Sequence, residues 1–461
     1  MRIDPARLDP IIKAYDIRGT VPDQLDEEIV EALAAAFTRF ALDEGGPCDK
    51  VLIGRDMRPS GIAFAEAFAR GVNSQGVEAV MLGLTSTDEL FFAAGHFDAP
   101  GAQLTASHNP AQYNGIKLCL AGARPVGEDS GLDVIKQSAI DGVTAAAEPG
   151  GRSADDALAP FVTHVHSFVD VAKLRPLRVV ADTANGMGGL VAPAVFADLP
   201  FDVEILYGEL DGTFPNHPAD PIQPENLVDL QALVRSTGAD VGLAFDGDAD
   251  RVFLVDDQGE LVSGSTTTAL VAIEMLERNP GATILHNLIC SKAVPEVIRE
   301  HGGTPMRTRV GHSLIKKIMA ETGAAFGGEH SGHYYFADNY RADSGIIAAL
   351  TVLQAISVSG QPLSTLRRPV ERYAASGEIN TRVGNAADVI AAVETHFADT
   401  DVDHLDGLTV DLGDWWFNLR PSNTEPLLRL NVEAADPSAC AQRVAQLDVL
   451  ITEADSATRK G

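Results

Sequence analysis

Three aspartates at alternate positions, Asp246, Asp248 and Asp250, close the apolar run in "FDGDADRVF". Three carboxylates brought to one point repel one another unless a hard cation neutralises them, so the run reads as a Mg²⁺ site at the end of a strand. The competing reading is a polar turn with solvated aspartates. A calcium loop of the EF-hand type is disfavoured, because Arg251 stands where that loop needs glycine for its sharp turn. Arg251 instead offers a planar fork to a phosphate beside the metal.

Three other stretches carry chemistry. "TASHNPAQYNGIKL" sets Ser107 beside His108, with Lys117 further along. A lone serine hydroxyl is a weak nucleophile, side chains adjacent in sequence normally point apart, and no G-x-S-x-G elbow surrounds this serine; a hydrolase triad fits poorly. Two readings remain: a serine that carries a phosphoryl group, neutralised by the aspartate-loop metal and by Lys117, or a turn serine ahead of Asn-Pro. In "GGEHSGHYYF" the glycines let backbone approach a ligand, and Glu329, Ser331 and His333 supply groups suited to sugar hydroxyls. His330 and His333 form an H-x-x-H without the further soft ligands a zinc site needs. "RPSNTEPLLR" crowds Arg420, Ser422, Asn423 and Thr424 between prolines, a nest suited to a phosphate dianion. The last two stretches also fit plain hairpin turns.

These loops need elements to hold them. Short β-branched runs alternate with helical patterns: "KVLIG", "AFAEAFARGVNSQG" and "VEAVMLG" open the series, which resumes at "LRVVAD" after the loop-like "AAAEPGGRSADDALAP". A third cycle ends in the long apolar helix "SGIIAALTVLQAIS". Such alternation predicts α/β layers. From about Gly377 the pattern changes to antiparallel strands, "EINTRV", "LTVDL", "WWFNLR" and "LLRLNVEA", with helices "AADVIAAVETHF" and a closing amphipathic one. The expected organisation is three similar mixed-sheet α/β domains, 1–153, 154–256 and 257–370, and an α+β domain, 371–461. No low-complexity linker divides them, which favours a compact assembly around shared clefts.

Composition narrows the partners. With 65 acidic and 35 basic side chains, a formal charge of −30 disfavours nucleic acid, and any anionic ligand must be held locally. At 45% hydrophobic the chain reads as soluble, no apolar stretch is long enough to span a bilayer, and the N-terminus lacks a secretory pattern. The four cysteines form no C-x-x-C pair, consistent with reduced thiols and a cytoplasmic protein.

Taken in order, "AYDIRG", "TASHNP", "DGDADR", "GGEHSGH" and "RPSNTEP", with "FPNHPADPIQPENL" and "TRVGHSLIKKIM", resemble the α-D-phosphohexomutase family nearly end to end. "EHSGH" is closer to the phosphomannomutase/phosphoglucomutase branch than to the phosphoglucosamine branch. The resemblance implies four domains, the last TATA-binding-protein-like, each sending one loop into a central cleft. It implies that Ser107 is phosphorylated at rest and that Asp246, Asp248 and Asp250 bind Mg²⁺ together with that phosphate. Arg18, Lys117 and Arg251 would serve the transferring group and nearby proton transfers, with His312 also catalytic. Tyr15 and His312 would line the cleft, and His108 would contact substrate. Glu329, Ser331 and His333 would meet the sugar, and Arg420, Ser422, Asn423 and Thr424 would hold the phosphate that is not reacting. The implied activity moves phosphate between C1 and C6 of a hexose phosphate, through a hexose 1,6-bisphosphate that is both intermediate and activator, in a monomer or weak homodimer. "ADSG", residues 342–345, departs from the family in its serine, Ser344. Rival readings are a phosphoglucosamine mutase, a haloacid-dehalogenase-type enzyme using Asp246 as an aspartyl phosphate, although Asp250 stands where that motif wants Thr or Val, and a sugar-phosphate binding protein without catalysis.

Overall fold

The computed structural model describes residues 2–13, 15–400, 402–421 and 427–458, apart from the side chains of residues 312, 313, 457 and 458. Its first three units repeat one β-α-β-α-β-β plan. In the first, strands Lys50–Arg55, Glu78–Leu84 and Gly101–Leu104 run parallel, and Tyr113–Leu120 returns antiparallel to the third. In the second, Leu177–Asp182, Phe201–Leu206 and Val241–Phe245 are parallel, and Val252–Asp256 returns. In the third, Thr283–Asn287, Thr304–Thr308 and Phe326–Gly328 are parallel, and Tyr334–Phe336 returns. In each sheet the first strand lies between the second and third, with the returning strand outside the third.

The repetition fixes where chemistry can occur. Each chemistry-bearing loop is the hairpin joining the last parallel strand to the returning one: 105–112, 246–251 and 329–333. All three therefore sit at the carboxyl ends of the parallel strands, where open α/β sheets bind ligands. Val241–Phe245 and Val252–Asp256 are buried along their whole length, because the unit's own helix Val228–Thr237 covers one face and the core shared with the third unit covers the other. The stretch expected to be loop between the first two units adds a short strand, Arg152–Ala154, to the edge of the first sheet beside Glu78–Leu84. Its own side chains are exposed polar or small ones, so no apolar pattern announces it.

The fourth unit is an antiparallel sheet in the order Ala374–Arg382, Leu427–Ala434, Trp415–Pro421, Leu408–Asp411, Val402–Asp403, backed by helices Ala386–His396 and Pro437–Thr458. Apolar packing fuses the second and third units into one core that also takes in Phe92 of the first, and the apolar helix Gly345–Ser359 runs through it. The fourth unit has a separate core. Among the described residues no helix is long and apolar enough to cross a membrane.

Candidate active site

Loops 105–112 and 246–251 meet backbone to backbone. A Cβ on Gly247 would stand 2.4 Å from the Ser107 carbonyl oxygen, so only glycine permits this approach. Ser107 itself has φ +50, in the left-handed region that non-glycine residues rarely adopt. Its hydroxyl, 3% exposed as a residue, donates to Asp246 Oδ2 at 2.7 Å and lies 3.3 Å from Arg251 Nη2. His108 Nδ1 is 3.2 Å from the same oxygen and also contacts Arg251 Nη2. The expectation that neighbouring side chains point apart fails here, because the left-handed turn at Ser107 brings the two to one side. A hydrolase arrangement does not follow. His108 contacts a guanidinium rather than an orienting carboxylate, and burial with Arg251 beside it holds its ring well below the usual histidine range.

The aspartates are buried, not solvated. Arg251 Nε bonds Asp246 Oδ2 at 2.9 Å, while Lys117 Nζ bonds Asp248 Oδ2 at 2.7 Å and Asp250 Oδ2 at 2.6 Å. Burial pushes the Asp246 carboxyl above the ordinary carboxylate range, against the pull of Arg251. Asp248 is also raised by burial, but Lys117 overcomes this and holds it well below the ordinary carboxylate range. For Lys117 burial favours the neutral amine, and the two aspartates reverse that, so it stays charged. The residues fit a divalent cation: one oxygen each of Asp246, Asp248 and Asp250 lie within 4.8 Å of one another, and Oδ1 of Asp248 and of Asp250 is buried without a hydrogen-bond partner among the described residues. A hard cation bound by oxygens satisfies such orphaned acceptors.

The third hairpin packs behind the second. Val252 N donates to Gly332 O at 3.2 Å, and Arg251 and His333 form an isolated β-bridge. His333 Nδ1 is 2.8 Å from Asp343 Oδ2 and 3.8 Å from Asp250 Oδ1; Lys316 Nζ bonds the other Asp343 oxygen at 2.7 Å. Burial lowers the His333 pKa, but Asp250 and Asp343 raise it further, so the net shift is upward. Glu329 is buried and held by Tyr335 Oη at 2.7 Å, Gly311 N at 3.3 Å and Asn287 Nδ2 at 3.4 Å. Ser331 lies half-buried at the hairpin tip. Tyr15 donates to Val310 O at 3.2 Å and packs on Gly311, at the start of helix His312–Thr322; the His312 side chain lies outside the described residues. Arg18 reaches the serine loop through Asn109 Oδ1 at 2.5 Å and pairs with Asp16.

Beyond these loops opens a cleft of about 1220 Å³ lined by Tyr15, Arg309, Lys316, Arg341, Arg420 and Arg429 among others, a basic lining in an acidic protein. Arg420 Nη2 bonds Glu378 Oε2 at 2.6 Å, and Arg429 Nε lies 3.6 Å from the other oxygen. Ser422, Asn423 and Thr424, in the hairpin between Trp415–Pro421 and Leu427–Ala434, lie outside the described residues.

Sequence reasoning passed over several supports. Asp56 and Arg58 grip the serine loop, Thr87 donates to Asp248 Oδ2 from a helix N-terminus, Asp343 and Lys316 back His333, and Glu378 meets Arg420. The available signal was "GRDMRPS", an Asp-x-Arg pair directly after an apolar strand, which exposed loops seldom need.

A buried serine hydroxyl set among three aspartates and two cations, in a molecule that also carries a basic cleft, defines an enzyme built for phosphoryl groups. Profiles described as phosphoglucomutase/phosphomannomutase match the chain four times in succession: alpha/beta/alpha domain I over 9–141, domain II over 159–259, domain III over 263–373 and the C-terminal domain over 378–448. The chain is 39% identical over 437 residues to a phosphomannomutase of Salmonella montevideo, covering 92% of this chain and 94% of that protein. It is 38% identical over 436 residues to the phosphohexose mutases of Xanthomonas campestris pv. campestris, covering 93% and 96%. A crystal structure of a phosphoglucomutase/phosphomannomutase family protein from Burkholderia thailandensis superposes with a TM-score of 0.87 at 31% identity, covering 98% of each chain. The chain belongs to the phosphoglucomutase/phosphomannomutase family, as its motifs led one to expect, and is an isomerase of the phosphohexomutase class.

Proposed function

We propose that the enzyme interconverts hexose 6-phosphates and hexose 1-phosphates, mannose first and glucose also, by way of phosphoserine 107 and a hexose 1,6-bisphosphate. One observation carries this reading: Ser107 Oγ is buried within hydrogen-bond reach of Asp246, Arg251 and His108 at once. A cation on Asp246, Asp248 and Asp250, Mg²⁺ by the chemistry of an all-carboxylate oxygen set, would supply charge neutralisation to the phosphate.

The protein's own groups do the rest. The free hydroxyl of a bound monophosphate attacks phosphorus; its O–P bond forms as the P–Oγ bond of Ser107 breaks, and the electron pair returns to Oγ. Arg251, 3.3 Å from Ser107 Oγ, and Arg18, bonded to Asn109 of the serine loop, bear on the transferring oxygens, whose charge spreads in a loose transition state. His333 has Nδ1 committed to Asp343, so the neutral ring keeps Nε2 as an acceptor for the proton of the attacking hydroxyl. Lys117, charged, can return a proton to Oγ. Arg420, with Ser422, Asn423 and Thr424, holds the phosphate at rest, and Glu329, Ser331 and Tyr15 orient the sugar. The bisphosphate then turns end for end, and the same steps in reverse return its other phosphate to Ser107.

Ser107→Ala is expected to abolish mutase turnover, assayed with mannose 1-phosphate, glucose 1-phosphate and glucosamine 1-phosphate plus a hexose 1,6-bisphosphate, while the circular dichroism spectrum is unchanged. Substantial residual turnover in a clean preparation would overturn the assignment. Preference for glucosamine 1-phosphate would move the enzyme to the other branch.

A further inference from the structure

Arg58 is a fully buried guanidinium whose five N–H groups are all taken. Nη2 donates to the carbonyls of Ser107 at 2.9 Å and Asn109 at 2.7 Å, and Nη1 to those of Pro110 at 2.8 Å and Tyr113 at 2.9 Å. Nε donates to Asp56 Oδ2 at 3.1 Å, and Asp56 Oδ1 accepts Arg58 N at 2.9 Å. The same Asp56 Oδ2 accepts the Thr105 hydroxyl at 2.7 Å, and Thr105 Oγ1 in turn accepts Ser107 N at 2.9 Å. Both backbone polar groups of Ser107 are thus held by one Asp56–Arg58 pair, at a residue whose left-handed φ is unfavourable for a side chain and needs such restraint.

The pair is also keyed to the second unit. The Phe214 ring lies 5.1 Å from the Arg58 guanidinium carbon, and a Cβ on Gly212 would stand 2.5 Å from Arg58 Cα. That second unit carries the three aspartates. Arg58 therefore stands between the loop that bears the serine and the unit that bears its acidic partners.

We propose that Arg58 is the positioning residue of the phosphoryl-carrying serine. Its fork of carbonyl contacts, locked by Asp56 and covered by residues 212–214, fixes Ser107 Oγ against the aspartate loop, and its buried charge lies under the loop that must hold a phosphate dianion. The inference rests on the reading of Ser107 as the phosphate carrier. A displacement of about 1 Å at a reacting atom costs on the order of 10²-fold in rate, so the signature is a loss in the transfer step rather than in binding. A lysine cannot reproduce the fork, since it offers one nitrogen where Arg58 uses three.

The test is the rate at which ³²P passes from labelled hexose 1,6-bisphosphate to the full-length enzyme in a single turnover, with steady-state kcat and KM alongside. Arg58→Lys is expected to lose about 100-fold in labelling rate and in kcat, with KM within about 3-fold of wild type. Thr105→Val, which keeps side-chain volume and removes only the hydroxyl that holds Ser107 N, is expected to lose about 10-fold in the same two quantities, and it carries the test if Arg58→Lys does not fold. Wild-type label absent from the Ser107 peptide would sink the phosphoserine reading itself. Wild-type label on Ser107, with either folded variant labelling at the wild-type rate or showing its loss in KM alone, would overturn the positioning role.

Discussion

Around Ser107 the cations are buried and paired before any substrate arrives: Lys117 sits between Asp248 and Asp250, and Arg251 on Asp246. At the Arg420 end the guanidinium is buried and paired too, but its partner Glu378 is 29% exposed, and Arg420 lines the basic cleft. Packing repeats the contrast. The second and third units share one apolar core, whereas contacts from the third unit to the fourth are polar: Lys292 N to Glu433 at 2.9 Å, Lys292 Nζ to Asp411 at 3.1 Å, and Tyr373 Oη and Arg372, at the approach to the fourth unit, to Glu296. On the function proposed above, the serine end is prebuilt, and the Arg420 end would exchange a protein carboxylate for a ligand phosphate. That division suits a reaction in which one phosphate must be aligned for transfer while the far site accepts it at either C1 or C6.

The sharpest way to break the comparison is at the prebuilt end. Asp248→Asn removes a charge that Lys117 and Thr87 both address, and kcat is expected to fall about 10³-fold with KM nearly unchanged, as for loss of a group preorganised toward the transition state. A change confined to KM would show that this end, too, works by binding. At the exchanging end the pattern should invert. Arg420→Ala is expected to raise KM about 10- to 100-fold with little change in kcat, the size of a lost charged hydrogen bond to phosphate. Glu378→Gln removes the resident anion, so KM and the inhibition constant of inorganic phosphate are both expected to fall a few-fold. A rise in both would mean that Glu378 aligns Arg420 rather than competing for it.

Much of this site was legible in the sequence because the hairpin loops are polar islands between apolar strands, and "DGDADR" or "TASHNP" stands out in such a setting. The threefold repeat of the plan was legible only as three similar units. Strand order depends on which runs pair, and Leu177–Asp182 and Thr283–Asn287 share topology without sharing residues. The role of Arg58 could not be read beyond its Asp-x-Arg pair because its partners lie far away in sequence: it acts on the carbonyls of residues 107–113, which carry no side-chain signature. His108 was misjudged because the expectation assumed ordinary backbone at Ser107. The serine in "ADSG" had no visible purpose, yet Ser344 caps helix Gly345–Ser359 and donates to Asp88 in the first unit at 2.6 Å.

That last contact gives the smallest expected effect, on stability and not on rate. Asp88 is wholly buried at the seam between the first and third units, and burial pushes its carboxyl up to about 7, with Asp250 adding to the rise and the Ser344 and Ser86 hydroxyls opposing it. In the unfolded chain the same group ionises near 4. Below about pH 4 both states hold the proton and Asp88 brings no penalty; as pH rises toward about 7 the unfolded chain releases its proton first, so the folded state loses stability, and above about 7 the loss is constant. Glu89, raised to about 8 by burial and by Asp88, acts in the same direction over a slightly wider range. Asp88→Asn removes one of these groups, so its first thermal transition is expected to match wild type near pH 4 and to lie a few degrees above it at pH 8. At the polar seam to the fourth unit Arg372 is instead held charged by Glu300, whose own pKa is lowered. Parallel melting curves for the two proteins across pH 4–8 would show that Asp88 is ionised in the fold, and that the seam between the first and third units is as charged as the one to the fourth.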